Sequence, residues 1–323
     1  MTVDRRRDRA RRRTQRERQL AAAGAGVTLL AVAVLLLTHL GGSDSAAGGA
    51  SSGRDASLPP RPPQLPRGGR VVLPKYRVVA LYGAPQDGHL GELGIGTPQR
   101  AAAKLAVQAL PYQRPNRPVM PAFELIATLV TAAPGDDGRY RYRQSGAVID
   151  RYLAAARRAK ALLILDIQPG RAQFMDEVRA YRRYLVQPDV ELALDPEWSM
   201  RPGEVPGRVI GSTDAAVVNQ AAAYLAQLES DNDLPQKLLL VHQFTTGEIQ
   251  HKRLLTAHDG VALVINIDGF GDRANKISKY HLFARPTSRW FNGFKLFYHE
   301  DTNLLPPRDV LKLRPQPNVV VYE

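Results

Sequence analysis

Residues Leu162–Trp198 read LLILDIQPGRAQFMDEVRAYRRYLVQPDVELALDPEW. An apolar run, Leu162–Ile167, gives way to Gln168-Pro169-Gly170; the stretch Ala172–Leu185 then carries its apolar residues at helical spacing. A second apolar run, Val190–Leu194, stops at Asp195-Pro196-Glu197-Trp198. Strand, helix and strand in so short a span make a crossover unit that joins two parallel strands. The rhythm continues on both sides. Upstream lie Arg77–Tyr82 and Met120–Leu129; downstream lie Leu238–His242, Val261–Ile267, Phe294–His299 and Asn318–Tyr322. Helices are expected between them at Gln99–Leu110 (opened by Thr97 and Pro98 as cap and first position), Ala147–Lys160, Asp214–Glu229, a short Gly247–Thr256, a weak Arg273–Phe283 and a short one after Pro306-Pro307. Pro134–Gln144 reads as a polar loop. Eight runs in this order point to an α/β fold, a (β/α)8 (TIM-type) barrel over residues 75–323 without its last helix. A doubly wound open sheet has the same element order and is the alternative.

The N-terminal part is of another kind. Residues 1–19 hold nine arginines against Asp4, Asp8 and Glu17, which accounts for +6 of the formal charge of +13. Leu20–Leu40 follows with no formal charge, a length that spans a hydrocarbon core of about 30 Å. The arginines are expected to stay cytoplasmic, making this segment a transmembrane signal anchor with the C-terminal bulk extracytoplasmic. A cleavable signal peptide competes, because Ser43, Ser45, Ala46 and Ala47 follow the run. Residues 41–74 read as a linker, flexible and rich in Gly, Ser and Ala to Ser57, then stiffer and rich in Pro from Leu58. Topology explains the basic run, so nucleic acid is not an expected partner; the membrane is. The absence of cysteine excludes disulfides and attachment through a lipobox cysteine.

Alternation along a strand sorts side chains between the lumen and the helices. In the third run Asp166 and Gln168 share the parity of Leu162 and Ile164; in the fourth, Asp195 and Glu197 share that of Glu191 and Ala193. The sixth aligns Val264, Asn266 and Asp268 and ends in Gly269-Phe270-Gly271; the seventh aligns Lys295, Phe297, His299 and Asp301, leaving Glu300 off the pattern. One of His242 and Gln243 must face in. Glu124, within the second run, reads as a structural ion pair with Lys295 or an arginine. In a barrel these strand ends meet at one mouth. Glu197, Asp195, Asp166, Asp268 and Glu300 are therefore the candidate catalytic carboxyls. Tyr82, Gln168, Trp198, His242, Gln243, Phe270, His299 and Asp301 are the candidate substrate contacts, with Trp290, Phe291 and Tyr298 as further aromatic faces. Paired carboxyl groups beside aromatic rings suit glycoside hydrolysis, in which one protonates the leaving oxygen and another attacks or activates water. Oxygen-rich clusters also bind divalent metals. No H-E-x-x-H, Walker A or G-x-S-x-G pattern occurs, and GELGIG at Gly91–Gly96 lacks the dinucleotide spacing, so no cofactor is expected.

The stretches LYGAPQDGHLGELG, LDIQPGRA, LALDPEW, VHQF, DGFG and GFKLFYHED together resemble an uncharacterised family of exported, membrane-anchored bacterial proteins related in fold to barrel glycoside hydrolases. The resemblance covers nearly all of residues 76–323 and implies a barrel at the cell surface. A second resemblance is to the large clan of retaining glycosidases, which places its acid/base after strand four and its nucleophile at the end of strand seven. Glu197 and Glu300 stand at those places, although Pro196 replaces the clan's usual Asn. The resulting expectation is a single-pass membrane protein whose barrel acts on, or binds, cell-envelope carbohydrate or wall polymer. A non-catalytic binding or scaffolding barrel and a metal-dependent hydrolase are the other readings.

Overall fold

The computed structural model describes residues 62–323. The basic tail, the candidate span and most of the linker lie outside the described residues. Among the described residues no helix is long and apolar enough to cross a membrane.

Eight parallel strands close on themselves: β1 (Arg77–Gly83), β2 (Val119–Val130), β3 (Leu162–Ile167), β4 (Val190–Leu194), β5 (Lys237–Gln243), β6 (Val261–Ile267), β7 (Phe291–Leu296) and β8 (Val319–Tyr322). Each pairs with its sequence neighbours, and β1 pairs with both β2 and β8. That last pairing removes every sheet edge and excludes the open doubly wound alternative. The connecting helices are α1 (Pro98–Ala109), α2 (Gly146–Arg158), α3 (Phe174–Ala180), α4 (Arg182–Leu185), α5 (Ala215–Asp231), α6 (Arg273–Phe283) and α7 (Pro307–Val310). Four start where a side chain can accept an otherwise unpaired backbone N–H: Thr97, Ser145, Asp214 and Asp272 each cap the helix that follows.

The two strand faces build two cores. Outward residues such as Leu81, Phe123, Leu163, Leu192, Leu239, Ile265 and Val320 pack against the helices. Inward residues such as Val78, Ala122, Leu162, Leu238, Ala262 and Val319 fill the N-terminal end of the lumen. Leu65, Val72, Leu73 and Tyr76 close that end from below, and all four are buried. Composition assigns most of this segment to a spacer, yet from Leu65 the chain is already part of the packing. Burying each such side chain is worth about 1.5–3 kcal/mol. Gln236 fastens the plug by accepting the Val72 and Leu73 amides at 3.0 Å, and Arg70 bonds Asp233 at 2.8 Å.

Several local expectations are corrected. The seventh strand is Phe291–Leu296, not Phe294–His299. Asn292-Gly293 resembles a turn in sequence, but Gly293 lies inside the strand because the Asn266 side chain fills the place of its missing side chain, with a Cβ there only 2.5 Å from Asn266 Oδ1. No helix forms at Gly247–Thr256. Ile249–Gln250 instead pairs with Thr213–Asp214 as a small parallel ribbon, followed by one 3-10 turn at Lys252–Leu254. Within the polar loop Pro134–Gln144, Arg141–Arg143 adds an antiparallel strand to the end of β2. Arg141 and Arg143 bond the buried Glu177 of α3 at 2.9 and 2.7 Å, which pins that strand.

Candidate active site

Above the apolar floor the inward positions become ionisable. His242 on β5 places Nε2 2.8 Å from Glu124 Oε1 on β2 and Nδ1 2.9 Å from Asp268 Oδ2, just past β6. Lys295 Nζ on β7 lies 3.3 Å from the same Asp268 oxygen and 2.9 Å from Glu323 Oε2, just past β8. Charges therefore alternate across the lumen in the order Glu124, His242, Asp268, Lys295, Glu323. Lys295 Nζ also sits 3.6 Å from the centre of the Tyr82 ring, whose negative face favours a cation.

Environment separates the proton affinities in this chain. Burial alone would neutralise His242, but the Glu124 carboxylate and the hydrogen bonds to Asp268 and Glu124 outweigh it and hold the imidazole well above its usual range. With a carboxylate at each ring nitrogen, both nitrogens carry protons and the ring is an imidazolium. Burial likewise opposes the charge on Asp268, but Lys295, His242 and the Gly269 amide hold its carboxyl well below the usual range. Lys295 is raised despite burial, first by Asp268 and then by Glu323. Glu124 thus pairs with His242, and not with Lys295 or an arginine as its position in the sequence led us to expect.

A second group stands beside the chain. Tyr82 donates its hydroxyl to Asp166 Oδ2 at 3.1 Å and accepts from Gln168 Nε2 at 3.1 Å, while Gln168 Oε1 accepts the Val130 amide at 3.2 Å. Burial, followed by the nearby Asp195, raises Asp166 well above the usual carboxylate range.

The third group forms the rim. Asp195 leads into a 3-10 turn, Pro196–Trp198, in which Glu197 and Trp198 are half-buried. The turn is fastened by Gly211, whose amide donates to the Glu197 carbonyl at 2.7 Å. Across from it, Glu248 accepts the Phe244 amide through Oε2, and its carbonyl accepts the Thr213 amide at 2.7 Å. Burial pushes Asp195 up to about 6, opposed by His242 and Lys295. Burial pushes Glu248 up to about 8 against the Phe244 and Thr245 amides. Glu197 is raised well above its ordinary value by burial and then by Asp195 and Glu248. On the rim, Glu197 and Glu248 are thus raised further than Asp195, which separates the proton affinities of three neighbouring carboxyls.

Of the candidates read from sequence, Asp166, Gln168, Asp195, Glu197, His242, Asp268 and Tyr82 gather at the mouth or in the lumen beneath it. Trp198 and Phe270 are half-buried on the rim, and Phe270 meets Phe297 edge-on at 5.8 Å. Others go elsewhere. Gln243 shares parity with the outward Val241 and is held by Lys252 at 2.6 Å on the helix side. Asp301 turns both oxygens onto backbone, accepting the Gly271 and Phe297 amides at 2.9 and 3.0 Å with Lys276 at 3.5 Å, so it clamps two loops together. His299 is exposed and Glu300 half-buried in a turn beyond β7, because that strand ends three residues earlier than the pattern implied. Trp290 precedes β7 at the opposite end of the barrel, and Tyr298 stacks on Tyr322 at 5.2 Å against the outer layer.

Glu248, Lys295 and Glu323 belong to the site and were not among the candidates. The period of two carries a signal for Glu323, which follows Val319 and Val321 inward. Glu248 has none, since the ribbon at Ile249 sets its position. Single ligand atoms of Glu124, Asp166 and His242 lie within 4.8 Å of one another and could hold a metal ion. Glu124 Oε2 and Asp166 Oδ1 lack hydrogen-bond partners, but His242 would have to expel a proton to offer a lone pair. The sequence matches no protein-family model, and a search of the curated proteins finds no similar sequence.

Proposed function

We propose that this is a carbohydrate-active barrel with acid/base chemistry at its C-terminal mouth, tethered outside the cytoplasm by Leu20–Leu40 and directed at cell-envelope glycan. One arrangement carries the reading: Glu197, raised well above its ordinary value by burial and by Asp195, stands beside Asp195, which is pushed up only to about 6, where barrel active sites form. Glu197 is the general acid that protonates the departing oxygen. Asp195 is the partner, by elimination among the other carboxyls. Asp166 is fully buried and held by the Tyr82 hydroxyl, Asp268 is locked between Lys295 and His242, and Glu300 lies in the turn past β7. Asp268, Lys295 and His242, paired with one another, supply a fixed field beneath the rim.

The test is release of reducing ends from envelope glycans and synthetic glycosides by the full chain. Glu197→Gln should abolish that release and leave the fold unchanged. Binding without release in both proteins identifies a non-catalytic glycan-binding barrel. The metal reading rests on the two partnerless oxygens of Glu124 and Asp166, and requires that a chelator abolish turnover and that a divalent ion restore it.

A further inference from the structure

The end of the barrel opposite the mouth has a surface of its own. Arg67, Lys75, Arg114, Lys160, Arg285 and Arg314 are exposed in the plug and in the loops that feed the N-terminal ends of the strands. The exposed carboxylates there are Asp231, Asp233 and Asp259, and Asp233 is already engaged by Arg70. Aliphatic side chains that would ordinarily be buried are exposed at the same end of the barrel. Val107 and Leu110 at the C-terminal end of α1 are 68% and 69% exposed, Leu282 at the end of α6 is 54% exposed, and Val71 in the plug is 45% exposed. Cations interleaved with exposed aliphatic side chains are the composition of a face that lies in a lipid interface, where the charges meet anionic headgroups and the aliphatics reach the acyl boundary.

Chain geometry names the occupant. The plug enters the fold at this end, so the chain that carries the uncharged run Leu20–Leu40 connects to the barrel here. We propose that the N-terminal end of the barrel docks on an anionic phospholipid surface, so that the mouth faces away from the membrane. This rests on the anchored reading above and adds to it an orientation. A docked base aims Glu197 and its neighbours at polymer beyond the membrane.

The experiment uses the full chain reconstituted in vesicles of phosphatidylcholine alone, or of phosphatidylcholine mixed with phosphatidylglycerol. Lysine acylation is read residue by residue by mass spectrometry. Lys75 and Lys160 at the base should lose reactivity several-fold in the mixed vesicles at low salt and regain it at high salt, while Lys104 on the flank of α1 stays constant. Arg114→Glu with Arg285→Glu should restore labelling in mixed vesicles, each lost cation weakening docking by about fivefold. Leu110→Ser should weaken protection without changing its salt dependence. Equal labelling of the basal lysines in the two vesicle types overturns the docking face. Alkaline extraction of the same vesicles reports on the tether separately. A chain that washes off sinks the anchored reading and the orientation together, whereas an embedded chain with unprotected lysines sinks only the orientation.

Discussion

At the N-terminal end of the barrel the inward side chains are Val78, Ala122, Leu162, Leu238, Ala262 and Val319, closed over by Leu65, Val72 and Leu73. At the C-terminal end the same strands turn inward Tyr82, Glu124, Asp166, Asp195, His242, Asp268 and Lys295. One end gains stability from apolar burial. The other holds charges whose desolvation is offset only by close partners, together with four carboxyls raised by burial. The base therefore stores stability that the mouth spends on keeping carboxyl groups neutral in a buried place.

That contrast can be broken from either side. The largest effect belongs to Glu197→Gln, which should lower turnover on a responsive glycan by about 10²–10⁴-fold with little change in unfolding. Steady-state kinetics beside a denaturant titration separates the two quantities. Lys295→Met removes the shared partner of Asp268 and Glu323 and should cost about 3–5 kcal/mol, read as a lower urea midpoint. Leu73→Ala in the plug should cost about 2–5 kcal/mol while leaving the pH profile of turnover intact. A changed profile would mean that the two ends are not energetically separate.

Glu248 gives a subtler test through pH. Its carboxyl is raised to about 8 in the fold. Between its unfolded pKa of about 4.3 and that value the folded state keeps a proton that the unfolded state has lost, so stability falls as pH rises across this window. Glu248→Gln should flatten that slope and stabilise the protein by about 1–3 kcal/mol near pH 8, measured by denaturant unfolding at several pH values. Asp268 has the opposite sign. Its depressed carboxyl contributes stability that is present above the unfolded value of about 3.9 and lost as pH falls through the folded one. The smallest effect is at the base surface, where Arg114→Glu should change unfolding by less than about 0.5 kcal/mol and leave turnover untouched.

Much of this was legible in a period of two. Alternation within Leu162–Ile167 and Val190–Leu194 sends Asp166 and Asp195 to the lumen, because strand geometry is local and the apolar set must meet the helices. The same rule left His242 and Gln243 undecided, and packing of Val241 against the outer layer resolves them. It overran at the seventh strand, where Phe297–His299 continue the pattern but the ladder has already ended. Local pattern is equally silent about the plug, since proline-rich sequence reads as spacer until Leu65, Val72 and Leu73 find a floor to cover.

Residue order thus specifies eight strands, their inward faces and the presence of carboxyl groups at one end. It does not specify which of those groups is charged. Glu124 and His242 are 118 positions apart in the chain and 2.8 Å apart in space. Asp166, Asp195 and Asp268 are alike as letters, yet burial raises the first well above the usual carboxylate range and the second to about 6, while Lys295 and His242 hold the third well below it. Proton affinity follows from burial and from the distance to the nearest charge, and both exist only once the barrel has closed.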